Sequence, residues 1–318
     1  MEFKNKLIVS ASPHIKTNDS SGKIMWSVVL ALIPAGAAGV FIFGLSALNV
    51  IITAVVSAVI SEMLIQKLMH KEVTVADGSA FITGLLLAYN MPPSVPLWLP
   101  VIGSFFAIAI AKQVFGGLGF NIFNPALAGR AFLMASWPAY MTHWTNPRWT
   151  PDAISSATPL AVVKMKLAQA IPSYWQLFIG EHGGCLGEVC VAAILVGAIF
   201  LLWKGYIRMH TPLFFIFTVA LLSWMFMGKQ LFFGDWVFYT LSGGLVLGAF
   251  FMATDYTTTP LTGRGQIIFG LGCGILTFLI RKFGGYPEGV SYSILIMNSA
   301  TPIIDRYTKT KKFGFIKK

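Results

Sequence analysis

Charge is what this sequence has least of. Only 11% of its 318 residues are Asp, Glu, Lys or Arg, less than half of what a soluble chain carries, which excludes an ordinary soluble domain. Acidic residues are the scarcer kind, 12 against 23 Lys and Arg. Cysteine is nearly absent too. Cys185, Cys190 and Cys273 make neither a metal quartet nor a disulfide framework, and they provide no cluster for an iron–sulfur centre. Cys185 and Cys190, five apart, read as small apolar fillers of a span. The five histidines (His14, His70, His143, His182, His210) show no metal-ligand spacing and read as interfacial. No compact apolar core precedes Ile24, so no cleavable leader is expected. GLGCG (270–274) lies in an apolar run without a strand–turn–helix frame, so it reads as close helix packing and not as a dinucleotide loop.

What is abundant is apolar surface: 56% of the chain is hydrophobic, which indicates a polytopic membrane protein. Divided into runs of roughly 20 residues, it yields ten candidate spans: 24–44, 47–69, 79–91, 97–115, 122–140, 186–203, 212–227, 236–253, 266–280 and 289–304. The third is short and is broken by Asn90-Met91-Pro92-Pro93, so a half-helix fits there as well as a full span. The expected fold is all-α, with about ten transmembrane helices.

The formal charge of +11 sits beside the apolar segments, so it reports membrane orientation and implies no nucleic-acid partner. With the N-terminus inside, Lys and Arg are roughly threefold more numerous on inner segments than on outer ones. Both termini are then cytoplasmic. The chain divides into a cytoplasmic segment (1–23), a first membrane half (24–140), an outer loop (141–185), a second half (186–304) and a basic cytoplasmic tail (305–318). FITGLLLAYNMPPSVP (81–96) is echoed by LVLGAFFMATDYTTTP (245–260), and FGGLGFNIFNPALAGR (115–130) loosely by 283–306. Two five-span halves have opposite orientation, so the expected arrangement is an inverted repeat whose broken helices meet at a central site.

The outer loop carries an ordered polar stretch, Asp152-Ala-Ile-Ser155-Ser156-Ala157-Thr158. Local chemistry reads it as an Asx- or Ser-type turn, with Pro159 holding Thr158 in an extended, exposed backbone.

The stretch resembles the flavinylation motif of the RnfD and NqrB membrane subunits: Asp, two variable residues, Ser or Thr, a small residue, Ala and Thr. Further segments resembling this family are SPHIK (12–16), DGSAFITGLLLAYNMPP (77–93), FNPALAGRAFL (123–133), GEVCVAAILVGAIFLL (187–202) and MATDYTTTPLTGRG (252–265). The longer N-terminal extension of the NqrB branch is missing, so RnfD is the closer relative. The resemblance implies FMN esterified through its phosphate to Thr158 by a separate flavin transferase acting outside the cytoplasm. Asp152, Ser155 and Ala157 would complete the motif. It also implies a second, noncovalent riboflavin near the repeat axis and a place in the bacterial inner membrane. The implied complex exchanges electrons between ferredoxin and NAD, coupled to Na⁺ or H⁺ movement, with RnfA-, RnfB-, RnfC-, RnfE- and RnfG-like partners. A tethered flavin can pass single electrons while the protein supplies position and electrostatics, so Thr158 is an anchor and no residue is expected to be catalytic.

Charged residues within apolar runs complete the candidates. Arg130 needs a carboxylate, exposed carbonyls or an anionic ligand, either as a helix-locking ion pair or beside a flavin or an ion path. Glu62, five residues before Lys67, reads as half of a snorkelling interfacial pair or as an ion-path group. Glu188 offers cation access at the outer edge or merely favours a helix N-terminus. Asp255 stands among hydroxyls beside a broken helix and is the third ion-path candidate. Two rival readings stand beside the redox subunit. One is a small-solute transporter or channel with inverted repeats; the other is an NqrB-type subunit passing electrons to quinone.

Overall fold

The computed structural model describes residues 19–149, 157–168 and 170–309. Among the described residues there are fourteen α-helical segments and no β-strand. Ser20 opens α1 (Ser21–Phe43) by accepting the Lys23 N–H at 3.2 Å, and Gly44, at φ 82, reverses the chain into α2 (Leu45–Leu68). Helix α3 (Ser79–Tyr89) has 11 residues, hence a length of about 16 Å, half of a bilayer core. It ends where Asn90 Nδ2 turns back onto the Leu86 carbonyl at 2.7 Å. The third apolar run therefore forms a half-helix. Helix α4 (Trp98–Ile108) continues into a π-helical turn, Ala109–Gln113. Pro125 occupies the first turn of α5 (Pro125–Ser136), where its missing N–H costs nothing, and α6 (Pro138–Met141) follows.

The long loop after α6 contains two short helices, α7 (Pro159–Met165) and α8 (Tyr174–Ile179). The second half comprises α9 (Val191–Trp203), α10 (His210–Phe226), α11 (Trp236–Leu241), α12 (Leu245–Leu247), α13 (Gly263–Phe283) and α14 (Val290–Tyr307). Helix α12 runs on as a second π-helical turn, Gly248–Met252. Two boundaries differ from those expected. The run 236–253 breaks at Ser242–Gly244, where Gly243 takes φ 71, a left-handed conformation that favours glycine. Residues 186–190 stay non-helical, and α9, the helix of the sixth apolar run, starts only at Val191.

Three helices, α1, α2 and α13, are long and apolar enough to cross a membrane, and α3, α4, α9 and α10 are shorter apolar helices. Large apolar side chains such as Leu30, Phe41 and Leu64 stand exposed on them, as they do on a lipid-facing surface. The chain is a polytopic membrane protein. Helix α1 packs on α9, α2 on α3 and α4, α10 on α13, and α5 on α14. Small residues permit these approaches. A Cβ on Gly270 would lie 2.8 Å from the Thr211 carbonyl oxygen and one on Gly274 would lie 2.5 Å from Thr218 Cβ, so GLGCG is the packing face of α13. Gly197 of α9 lies against the Ala31 carbonyl of α1. Gly197→Val is expected to lower stability by about 1–3 kcal/mol, the usual cost of overpacking, measurable as an earlier unfolding midpoint in detergent.

Hydrogen bonds define two ends of the bundle. At one end Trp26 donates to the Ala76 carbonyl at 3.2 Å and Tyr206 to Asp19 at 3.4 Å. At the other, here called the loop end, the Arg148 N–H reaches the Ile42 carbonyl at 3.0 Å. There Lys164 Nζ donates to the carbonyls of Ile280, Gly284 and Tyr286, fixing α7 to the end of α13. Partial burial lowers this ammonium below the usual lysine range.

Candidate functional site

Arg130 organises the loop end. It lies on α5, 4% exposed, and each terminal nitrogen has two partners. One donates to Asn90 Oδ1 at 2.8 Å and Ser291 Oγ at 2.9 Å. The other pairs with Glu288 and points at the Cys185 sulphur, 3.7 Å away. The end of α3, the start of α14 and the segments before α9 and α14 are thus tied to one guanidinium. Of the readings open for this residue, the ion pair is present. Cys185 is part of this polar cluster and is no mere apolar filler. Glu188 does not cap α9, whose N-cap is Cys190. It turns inward instead and accepts the Cys185 N–H at 3.1 Å.

A cavity of about 380 Å³ opens beside this cluster, walled by Arg130, Trp144, Ala157, Tyr286, Glu288 and Tyr292 among others. That volume falls in the range of small-molecule sites, about 300–1,000 Å³. Tyr286 and Tyr292 stack with centroids 5.6 Å apart at 26°. Aromatic walls with one fixed guanidinium suit a flat, electron-poor ring. Of the loop motif, Ala157 lines the cavity and Thr158 is its neighbour in the chain; Asp152 and Ser155 lie outside the described residues. Thr158 takes the expected extended backbone, φ −60 and ψ 152, but its side chain is not exposed. It is 2% accessible and caps α7 by accepting the Ala161 N–H at 3.3 Å. The cause is α7, which folds the loop down against the bundle.

A second ionic group lies towards the opposite end. Glu62 is 1% exposed and does not pair with Lys67. Its partner is Lys112 of the π-helical turn, at 2.8 Å, and Gln113 Nε2 adds a donor at 2.7 Å. Lys112 also donates to Ser79 Oγ at 2.6 Å, which in turn donates to Asp77 at 2.6 Å. The extra residue of a π-turn re-aims side chains, and here it brings Lys112 and Gln113 together onto α2. Lys112 and Asp255 line a cavity of about 90 Å³ together with Asn121, Asn124 and Tyr206. Asp255 accepts from the hydroxyls of Thr257 and Thr258, each at 3.1 Å. Between the two ionic groups the broken segments meet. Asn90 Nδ2 approaches Met252 Sδ at 3.7 Å, and Asn124 Nδ2 reaches the Met252 carbonyl at 3.4 Å.

Sequence comparison decides the family. The chain matches the family described as NQR2, RnfD, RnfE over residues 8–314. The chain belongs to that family. Among its curated relatives is the D subunit of a proton-translocating ferredoxin:NAD(+) oxidoreductase complex from Clostridium ljungdahlii, 50% identical over 98% of this chain and 97% of the relative. The D subunit of a Na(+)-translocating ferredoxin:NAD(+) oxidoreductase complex from Acetobacterium woodii is 49% identical over 98% and 96%. The D subunit of an ion-translocating oxidoreductase complex from Escherichia coli is 38% identical over 96% and 98%. Two relatives named for different ions stand at nearly equal distance, so overall similarity does not select the ion.

Sequence reasoning missed Glu288, Lys112 and Arg281. Glu288 sits in a Tyr-Pro-Glu-Gly turn that reads as surface. Lys112 and Arg281 read as basic residues flanking spans, yet they are 2% and 3% exposed. The signal that could have found Glu288 is Arg130 itself, because a buried guanidinium demands a carboxylate.

Proposed function

We propose that the chain is the D subunit of an ion-translocating ferredoxin:NAD⁺ oxidoreductase complex and carries FMN as a phosphoester on Thr158. The observation that carries this reading is that Ala157, next to Thr158 at the end of the motif, lines a ligand-sized cavity with aromatic walls. The flavin would supply one-electron chemistry. The protein's share is to bind and orient: Tyr286 and Tyr292 offer a stacking face, and Arg130, held by Asn90, Ser291 and Glu288, offers a fixed positive charge. Because Thr158 is buried, attachment requires α7 to lift from the bundle. Asp152 and Ser155 would be read by the transferase.

In this reading the chain crosses the bacterial inner membrane ten times as two inverted five-segment halves, α1–α5 and α9–α14, with the half-helix α3 completed by the non-helical residues 90–97 and α11 and α12 together forming one crossing. The start of α1, the segment before α3 and the end of α9 meet at one end of the bundle, while the ends of α1 and α13 meet at the loop end, which supports it. Both termini would be cytoplasmic and the loop end extracytoplasmic. Glu62, Glu188 and Asp255 remain ion-path groups in this reading, and RnfA-, RnfB-, RnfC-, RnfE- and RnfG-like subunits complete the complex. The inner cavity has suitable polar walls for a noncovalent riboflavin, but its 90 Å³ is below the volume of a ligand site. As it stands, the cavity is too small to fit that group.

Peptide mass analysis of the protein from its native membranes tests the reading. The peptide containing Thr158 should gain the mass of FMN less one water. Thr158→Ala should abolish the gain, and Thr158→Ser should restore it in part. An unmodified Thr158 from cells with an active flavin transferase would leave this residue as a helix cap only.

A further inference from the structure

Two carboxylates at the loop end are hidden and half satisfied. Glu188 is 3% exposed; its Oε1 takes the Cys185 N–H, and its Oε2 has no hydrogen-bond partner among the described residues. Glu288 gives Oε2 to Arg130, and its Oε1 likewise has no partner among them. The two carboxylates and the Cys185 sulphur come within 4.8 Å of one another. A Cβ on Gly244 would fall 2.8 Å from Glu188 Oε2, so that oxygen presses against bare backbone in the break between α11 and α12.

The surrounding cations are only partly engaged with these carboxylates. From α5, Arg130 divides its donors among Asn90, Ser291, Cys185 and Glu288. From α13, Arg281 donates to the carbonyls of Glu288, Tyr239 and Ser242 and is hydrogen-bonded to neither carboxylate. The segment before α9 contributes Cys185 and Glu188 themselves, and the break at Ser242–Gly244 contributes no ionisable group. A hard metal ion takes six or more oxygens, whereas this site presents two unpartnered carboxylate oxygens, a thiol and an adjacent guanidinium. A proton needs only the two oxygens.

We infer that Glu188 and Glu288 form a carboxylate dyad whose proton is carried on Glu188, a proton-binding site directly behind the outer cavity. Glu288 is paired to Arg130, and a like charge within 4.8 Å favours the proton-bound form of Glu188. Glu288 and Arg130 also wall the cavity, so the dyad exchanges its proton by that route. A coupling follows, and this part rests on the flavin reading. Each electron that the complex delivers to a group in the cavity adds one negative charge. A dyad without its proton while that group is oxidised takes one proton from the aqueous phase onto Glu188, which restores the balance.

The purified complex tests the site directly by infrared difference spectroscopy during a pH titration at fixed redox state. A protonated-carboxyl band should appear as pH falls and be lost in Glu188→Gln. The wild type alone is decisive if the variant fails to assemble: no such band at any pH overturns the site, as does a band unchanged in Glu188→Gln. A band abolished by added Na⁺ at fixed pH overturns the proton assignment in favour of a metal cation. The coupling has its own readout. A tenfold change in proton activity should alter the one-electron equilibrium of the bound flavin up to about tenfold, ~59 mV, and Glu188→Gln should flatten that slope. A flavin potential with the same slope in both proteins overturns the coupling. An infrared band in a chain lacking flavin upholds the dyad and removes the flavin reading.

Discussion

Arg130→Met should lower the stability of the protein by about 3–5 kcal/mol, because breaking a buried pair from one side strands the other charge. The stranded group is Glu288, which would keep no donor on either side-chain oxygen among the described residues. Asn90 and Ser291 would lose a shared donor in the same step. Arg130→Lys should recover little of this. An ammonium is a point charge on a flexible stem and cannot present a planar fork to partners on four segments. Adding Glu288→Gln to Arg130→Met should restore much of the loss, since it removes the stranded charge. Thermal unfolding of the detergent-purified complex checks the set. A single variant within about 1 kcal/mol of wild type would show that Arg130 does not hold the loop end together.

The second large effect is expected at Glu62 and Lys112. Lys112→Met leaves a carboxylate that is 1% exposed with amide donors from Gln113 and Gln66 in place of a cation. Loss of about 3 kcal/mol is expected, with the two amides moderating the upper value for a buried pair. Glu62→Gln alone should cost less, because Lys112 keeps Ser79 Oγ. The double variant should be more stable than the sum of the two single losses implies, giving a coupling energy of about 1–3 kcal/mol in a double-mutant cycle. Additivity would mean that the two side chains stand close without interacting.

How much of this was legible in the sequence depends on range. Helix positions follow from apolar runs, and α1, α2, α10 and α14 begin and end within a few residues of them. The half-helix at Ser79–Tyr89 was readable because Asn-Met-Pro-Pro is a local stop. The break at Ser242-Gly243-Gly244 was equally local, yet flanking apolar residues concealed it. The loop motif was readable as a pattern, whereas the burial of Thr158 was not. That burial depends on Lys164 finding the carbonyls of Ile280, Gly284 and Tyr286, far away in the chain. Partner choice failed for the same reason. Lys67 is near Glu62 in sequence, but a π-turn on another helix carries the true partner, Lys112. A carboxylate in a glycine- and proline-rich turn gives no local sign that it will meet Arg130.

Arg281 gives the second half a mechanical property. A broken helix usually leaves carbonyls that water or a moving neighbour must satisfy, and such a joint can flex. Here the guanidinium of Arg281 accepts that task, reaching Tyr239 and Ser242 on the near side of the break and Glu288 on the turn beside it. The break cannot straighten without leaving a buried cation unsolvated. It therefore works as a welded elbow: α11, α12 and the end of α13 must travel as one piece, and any rearrangement in this protein must take place at the seams between such pieces.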